Sequence, residues 1–157
     1  MISQKSKYAL RALLALARAQ PGETLQIAAI AGREAVPKKF LEQILLDLKR
    51  AGLVDSRRGQ KGGYLLARPP QSVSLGEVLR IIEGPFMPLA CVASDSDFPC
   101  ADCSDERLCA VRHVLARVAA VSAEILNATT LADVLADPSV IPAERLNGAA
   151  TGARQLF

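Results

Sequence analysis

The spacing of apolar residues over the first 52 positions predicts three helices in succession. Apolar residues recur every three or four positions in segments 5–20 and 25–34, and Pro21 with Gly22 separates the two. A third segment, 37–52, starts with a proline, which suits the first turn of a helix, and ends at a glycine, which suits helix termination. The residues expected to face a common core are Leu10, Leu13, Leu14 and Ala17 in the first helix, Ile27, Ile30 and Ala31 in the second, and Phe40, Leu41, Ile44, Leu45 and Leu48 in the third.

The next segment, 53–70, changes from helical to strand-like patterning. Two short apolar runs flank the basic, glycine-rich stretch "SRRGQKGG", which is typical of a β-hairpin with a longer loop. Pro69 and Pro70 cannot continue the pairing. A further helix is predicted over 75–84, because Ser74 followed three residues later by Glu77 forms a capping-box pattern.

The second half of the chain predicts one long helix and one short helix. Segment 106–126 has helical periodicity and follows Ser104 and Asp105, either of which can cap a helix there. A short helix is predicted over 131–137. The tail, 138–157, has no sustained periodicity and is expected to be mobile.

Two short helices, a third helix and a hairpin, in that order, are the elements of a winged helix-turn-helix. The predicted fold is therefore mainly α with a small β-hairpin wing, followed by a long dimerisation helix. The expected division of the chain is a winged helix-turn-helix DNA-binding domain over 1–84, a cysteine-rich loop over 85–104, a dimerisation helix with a short docking helix over 105–137, and the tail over 138–157.

Composition limits the classes of protein to which the chain can belong. Half of the 157 residues are apolar, but no apolar run reaches the roughly eighteen residues of a membrane span. The N-terminus lacks a signal-peptide core, so we expect a cytoplasmic location and no membrane partner. There is no phosphate-binding glycine motif and no Cys/His pair with an orienting partner, so an enzyme is not expected.

Charge is unevenly distributed along the chain. Residues 1–70 contain 13 Lys and Arg against 5 Asp and Glu, a net charge of +8, whereas residues 71–157 contain 6 against 11, a net charge of −5. A basic first half joined to an acidic second half indicates that the first half meets a polyanion such as double-stranded DNA. The alternative is a protein-interaction module that uses the winged helix, and the salt dependence of duplex binding separates the two.

The third predicted helix has the outward face that a recognition helix requires. Lys can bind phosphate or guanine, Gln can pair with adenine, and Glu can accept a hydrogen bond from the cytosine amino group. Glycines at the hairpin tip let the backbone approach a duplex, and a lysine at the start of the first helix is expected to meet the DNA backbone. The candidate DNA-binding residues are Lys5, Lys38, Lys39, Glu42, Gln43, Arg57, Arg58, Gln60 and Lys61.

Three stretches resemble the bacterial Rrf-type regulators, the family of IscR, NsrR and RirA. They are "KYALRALLALA", "FLEQILLDLKRAGLVDSRRGQKGGYLLARPP" and "SLGEVLRIIEGP", and the similarity runs from about Ser3 to Leu135. Its most specific part is the pattern R-G-x-x-G-G-Y-x-L-A from Arg58 to Ala67. The resemblance implies a homodimeric winged-helix transcription regulator whose subunits pair through the long helix. In the best-known members three loop cysteines hold an iron–sulfur cluster that controls DNA affinity, whereas other members lack the cluster.

All four cysteines of the chain lie in the segment "CVASDSDFPCADCSDERLC". They are Cys91, Cys100, Cys103 and Cys109, and the only histidine, His113, follows one turn later. Thiolates can ligate an iron–sulfur cluster or zinc, with His as a substitute ligand. The residues leave open a cluster that senses iron, redox state or nitric oxide, a structural zinc site, a thiol switch, and no shared role.

The resemblance implies some of the cluster ligands but does not determine the full set. Cys91 matches the first ligand of the cluster-binding relatives, and the gap between Cys103 and Cys109 matches their last gap. Cys100 is an additional cysteine, and the gap from Cys91 to Cys103 is longer than in those relatives. Cys100 is therefore either the fourth ligand or a substitute for Cys103.

The long helix carries an apolar stripe that little else in the second half can cover. A stripe of this length favours pairing with the same helix of a second copy. A symmetric dimer would bind a pseudo-palindromic operator, whose half-sites lie about one turn of duplex apart. The stripe consists of Val111, Val114, Leu115, Val118, Ser122 and Ile125.

Overall fold

The computed structural model describes residues 2–59, 62–85, 92 and 108–136. The order of elements within them confirms a mainly helical fold with a hairpin wing. The elements are α1 (Gln4–Ala17), α2 (Ile27–Glu34), α3 (Lys38–Arg50), β1 (Val54–Arg57), β2 (Gly63–Leu66), a 3-10 turn (Pro70–Ser72), α4 (Leu75–Glu83), α5 (Ala110–Ala128) and α6 (Leu131–Ala136). The tail predicted over 138–157 lies outside the described residues. Within the described residues, none of the helices is both long enough and apolar enough to cross a membrane.

The hydrophobic core lies between α1, α3 and α4, and α2, α6 and the hairpin pack at its edges. The predicted stripe of α3 is confirmed for Leu41, Ile44, Leu45 and Leu48, all of which are fully buried. Their spacing of three, one and three residues places all four on one side of the helix. The opposite side of α3 is consequently left to solvent.

The prediction that Phe40 faces the core is wrong. Its side chain is 55% exposed, and its ring lies 6.1 Å, centroid to centroid, from the ring of Tyr8 on α1. Each residue turns a helix by about 100°, so Phe40 lies on the flank of the stripe that begins at Leu41. The aromatic pair covers the edge of the α1–α3 contact without entering the core.

The core face of α1 is also displaced from the predicted one. Leu13 is fully buried, whereas Leu10, Leu14 and Ala17 are only half-buried. Four small side chains on the buried face, one serine and three alanines, let α1 pack closely against its neighbours. The buried residues of α1 are Ser6, Ala9, Ala12, Leu13, Ala15 and Leu16.

The hairpin is antiparallel and pairs Val54 with Leu66 at one end and Arg57 with Gly63 at the other. Its second strand also bridges to the segment between α1 and α2, where Leu25 and Tyr64 exchange two backbone hydrogen bonds of 2.8 Å. This bridge holds the base of the wing against the helical core.

The predicted cap of α4 is present in part. The hydroxyl of Ser74 accepts a hydrogen bond from the backbone N–H of Glu77 at 3.1 Å. The Glu77 carboxylate does not complete the reciprocal pair, because it accepts a 2.7 Å hydrogen bond from Arg68 instead. Glu77 thus joins α4 to the chain that leaves the hairpin.

The predicted start of the long helix is wrong. Helix α5 begins at Ala110, and Cys109 before it has extended backbone dihedrals, φ −76° and ψ 103°. The apolar spacing of α5 begins at Val111, and the side chain of Leu108 before it is 82% exposed, so no burial of Leu108 offsets the cost of extending the helix by another turn. Ser104 and Asp105 therefore do not cap it, and both lie outside the described residues.

Candidate nucleic-acid interface

The outward face of α3 is polar and lies opposite the core. Lys38, Lys39, Glu42 and Gln43 are all exposed there. In the part of the chain that the structure describes, the side chains of Lys38, Lys39 and Glu42 form no hydrogen bond or ion pair. Four of the predicted DNA-binding residues therefore share one accessible surface.

Gln43 and Lys5 both contact Asp47, which lies one turn after Gln43 on α3. Gln43 Nε2 donates to Asp47 Oδ1, and Lys5 Nζ donates to Asp47 Oδ2, each at 2.9 Å. The hydrogen bond from Lys5 is the main cause that lowers the pKa of Asp47 below its usual value; burial opposes it, and Gln43 adds to it. Lys5, predicted as a contact to the DNA backbone, is thus ion-paired with Asp47 of α3.

The arginines of the wing differ in their surroundings. The Arg57 guanidinium donates to the carbonyl oxygen of Gly22 at 3.5 Å. Arg58 is exposed and has no such contact among the described residues. Gln60 and Lys61, predicted to lie at the tip, are outside the described residues.

Glycines on either side of the tip shape the wing. The N–H of Gly62 donates to the carbonyl of Gly59 at 2.8 Å, and Gly59 has a φ of +107°, which favours glycine. A Cβ atom at Gly62 would lie 2.5 Å from the carbonyl oxygen of Arg57. The turn therefore depends on the glycines of the R-G-x-x-G-G pattern.

Three further exposed residues of α3 extend this surface: Leu46, Lys49 and Arg50. The Lys49 ammonium donates to the hydroxyl of Ser56 on β1, so it links the recognition helix to the wing. All three were absent from the predicted set. Leu46 lies three and four residues after Gln43 and Glu42, and Lys49 and Arg50 lie three and four residues after Leu46, so continued helical spacing is the signal that would have found them.

Only one of the four predicted thiol ligands is among the described residues. Cys109 is half-buried immediately before the first turn of α5, and its carbonyl accepts from the backbone N–H of His113 at 3.2 Å. Cys109 therefore precedes α5, whereas the predicted start at residue 106 would have placed it about one turn inside the helix. Cys91, Cys100 and Cys103 lie outside the described residues.

One face of α5, rich in alanine, packs against α4. Ala119 is buried there, and Gly76 of α4 lies so close to Asn127 that a Cβ atom would collide with it. A cavity of about 350 Å³ remains between the two helices. Val92, the residue after Cys91, lines this cavity, so the cysteine segment meets the junction of α4 and α5.

The other face of α5 is apolar and exposed. Val111, Val114, Val118 and Val121 are 61, 60, 48 and 38% exposed. With half-buried Ile125, they repeat at intervals of three, four, three and four residues, which is the spacing of the apolar seam in coiled coils. Val121 was missing from the predicted stripe, although this spacing identifies it.

A helical core with an exposed polar helix and a hairpin wing defines a winged helix-turn-helix protein. Residues 2–137 match the Rrf2 family model, described as an iron-dependent transcriptional regulator, and the chain belongs to that family. It is thus a transcriptional regulator and not an enzyme.

Known proteins similar to the chain include other transcriptional regulators. An rrf2-like HTH-type transcriptional regulator of Rhodobacter capsulatus is 48% identical over 139 residues, which cover 87% of this chain and 93% of the relative. CymR, the global cysteine regulator of B. subtilis, has a similar structure, with a TM-score of 0.72, 31% identity, and coverage of 87% of this chain and 96% of CymR. IscR of T. potens has a TM-score of 0.70 at 30% identity, with 88% of each chain covered.

Proposed function

We propose that this chain is a homodimeric, DNA-binding transcription regulator. Helix α3 enters the major groove of each half of a pseudo-palindromic operator, and the wing meets the neighbouring phosphates. The observation that carries this proposal is the exposed, unpaired face formed by Lys38, Lys39 and Glu42, opposite the buried stripe of α3. Groups on such a face can pair with base edges without first giving up partners within the described part of the chain.

Replacing Arg58 with Ala is expected to weaken binding to all duplexes by a similar factor. If the exposed guanidinium meets a phosphate, its loss should reduce the slope of log affinity against log salt by about one unit for each engaged subunit. Titrations of a selected operator and of an unrelated duplex at several salt concentrations measure both quantities.

Arg18→Ala is the matched control for this experiment. It removes the same charge at the end of α1 that lies furthest from Lys5, where Arg18 is paired with Glu34. An unchanged slope in Arg58→Ala would remove the wing from the interface. Salt-independent duplex binding by the wild-type protein would favour a module that recognises proteins.

The exposed valine seam of α5 supports the proposed homodimer. A second copy presents the same seam, so two α5 helices can bury it against each other around a twofold axis. The same axis would set the spacing of the two α3 helices on the operator.

We also propose that Cys91, Cys103 and Cys109 ligate an iron–sulfur cluster, with Cys100 as the fourth ligand and His113 as its possible substitute. The position of Cys109 fits this role, because the residue is only half-buried and lies at the N-terminus of α5, where the helix dipole favours a thiolate. Such a cluster supplies sensitivity to iron supply, redox state or nitric oxide. Zinc bound by the same thiolates and a thiol switch are the alternatives.

Two contacts connect the cysteine segment to the proposed dimer. Cys109 directly precedes α5, and Val92 reaches the cavity between α4 and α5. A rearrangement of the segment would therefore displace α5 against α4, and with it the distance between the two recognition helices. This coupling gives the signal a physical route to DNA affinity.

Anaerobic purification should yield a brown protein that contains iron and sulfide. Cys91→Ala, Cys103→Ala and Cys109→Ala should each abolish the visible absorption, because three thiolates are the usual minimum for holding a cluster on a short segment. Cys100→Ala should abolish or weaken it. All four variants should remain folded by circular dichroism.

Metal analysis of the same sample decides between the alternatives. Stoichiometric zinc without visible absorption would identify a structural zinc site. Protein that contains neither metal, but forms a disulfide on oxidation, would identify a thiol switch.

A further inference from the structure

Among the described residues, Asp47 is the only carboxylate on α3 that accepts a hydrogen bond from a predicted DNA-binding residue of that helix. One of its oxygens accepts from Gln43 Nε2 and the other from Lys5 Nζ, each at 2.9 Å. The Arg50 guanidinium lies 4.0 Å from the carboxylate on the next turn. The Asp47 side chain is 22% exposed; its hydrogen bond with Lys5 is partly buried, whereas its hydrogen bond with Gln43 is exposed to solvent.

A carboxylate at this position lowers the affinity of the protein for DNA of any sequence. It adds negative charge beside a helix proposed to enter the groove between two phosphate backbones, and it neutralises the nearby cation of Lys5. A gain in affinity for DNA therefore does not explain why an aspartate occupies position 47.

The contact to Gln43 supplies that explanation. A free glutamine side chain loses considerable rotamer freedom when it is ordered on a base, whereas Gln43 is already held by Asp47. The hydrogen bond also fixes which end of the amide is the donor. The carbonyl oxygen and the second N–H of Gln43 remain for a bidentate contact to a base edge.

We propose that Asp47 is a positioning residue for sequence recognition. It holds the Gln43 side chain in position to contact a base, and it keeps the Lys5 ammonium from binding a phosphate. The protein therefore binds DNA in general more weakly but discriminates better between sequences. The proposal rests on the proposed function, because it requires α3 to contact bases.

Asp47→Ala should therefore change affinity and specificity in opposite directions. Affinity for an unrelated duplex should rise several-fold, and the salt slope should increase by about one unit per subunit as Lys5 becomes free to meet a phosphate. Base preference at the position read by Gln43 should fall by about fivefold, which is part of the discrimination that one bidentate pair provides.

Selection from a randomised duplex library with the wild-type protein and with Gln43→Ala identifies the base pair that depends on Gln43. The same selection with Asp47→Ala should reduce preference at that base pair and leave the other positions as in the wild type. Adding Asp47→Ala to Gln43→Ala should cause little further loss, because the two residues act as one unit.

Asp55→Ala is the matched control, since it removes the same charge from exposed strand β1 of the wing. It should raise general affinity and leave base preference intact. Lys5→Ala separates the two contacts of Asp47 and should also keep base preference, because Gln43 retains its partner.

The proposal is overturned if Asp47→Ala keeps full discrimination, or if its effects equal those of Asp55→Ala. A loss of stability without a change in base preference would assign Asp47 a structural role only. Failure of the proposed function itself gives a different result: the wild-type protein then selects no sequence and binds duplexes without salt dependence.

Discussion

Replacing Val118 with Glu is expected to convert the protein to a monomer and to lower its affinity for a two-half-site operator by about a hundredfold or more. Val118 is the middle residue of the valine seam of α5 and is 48% exposed in the single chain. In a symmetric pair it would lie close to the twofold axis, so the change would bury two carboxylates near each other in an apolar contact. Neither would have a partner, and an unpaired buried charge costs several kcal/mol.

The loss of operator affinity follows from the loss of the dimer. One monomer can occupy only one half-site, so it loses the gain that two linked binding events provide. Sedimentation equilibrium at several concentrations measures the assembly, and titrations of a full operator and a single half-site measure the binding. Affinity for the half-site should change little, because α3 and the wing are untouched.

Two variants control for general effects on the helix. Val118→Leu keeps the seam apolar and should remain dimeric. Glu124→Lys changes the charge at an exposed position of α5 outside the seam and should also remain dimeric. A dimeric Val118→Glu protein would place the subunit contact elsewhere.

The helical core could be predicted from the sequence because burial follows the helical period. The stripe of Leu41, Ile44, Leu45 and Leu48 is regular, and all four residues are buried. Phe40 shows the limit of this reasoning. An apolar residue at the edge of a stripe can face either the core or a neighbouring side chain, and only the position of Tyr8 on α1 decides between them.

The candidate site could be predicted less completely than the fold. Exposure of Lys38, Lys39, Glu42 and Gln43 follows from the same period that buries the other side of α3. The Lys5–Asp47 pair joins residues that are 42 positions apart, and it exists only because α1 packs across α3. No local pattern contains that information, so the sequence predicted a DNA-backbone contact for Lys5 but not its ion pair with Asp47.

The wing could be predicted only in part. Its glycines are evident in the sequence, but contacts in the folded protein explain why glycine is required at some of these positions. The glycine-rich stretch predicts a hairpin with a longer loop, and Gly59 and Gly62 lie in that loop. Gly63 has a different role. It allows the backbone of β2 to approach Leu25, a residue 38 positions earlier in the chain, and so anchors the wing to the core.

Gly63→Ala is therefore expected to lower the free energy of unfolding by about 2–4 kcal/mol. The new Cβ atom would lie 2.5 Å from the Leu25 carbonyl oxygen and 2.7 Å from its carbon, and both are backbone atoms that cannot rotate away. The bridge must open, which strains or breaks the two 2.8 Å hydrogen bonds between Leu25 and Tyr64. Urea denaturation followed by circular dichroism measures the change.

Gly32→Ala is expected to have the opposite effect on the free energy of unfolding. Gly32 lies in helix α2, and nothing is within 4 Å of the position of its Cβ atom. The substitution should raise the free energy of unfolding by about 0.5–1 kcal/mol, because alanine loses less backbone entropy in a helix. Gly63→Ala should also weaken DNA binding under conditions where it is still folded, because a wing released from the core no longer holds Arg58 in a fixed position. A Gly63→Ala protein as stable as the wild type would mean that the wing is not anchored through Leu25.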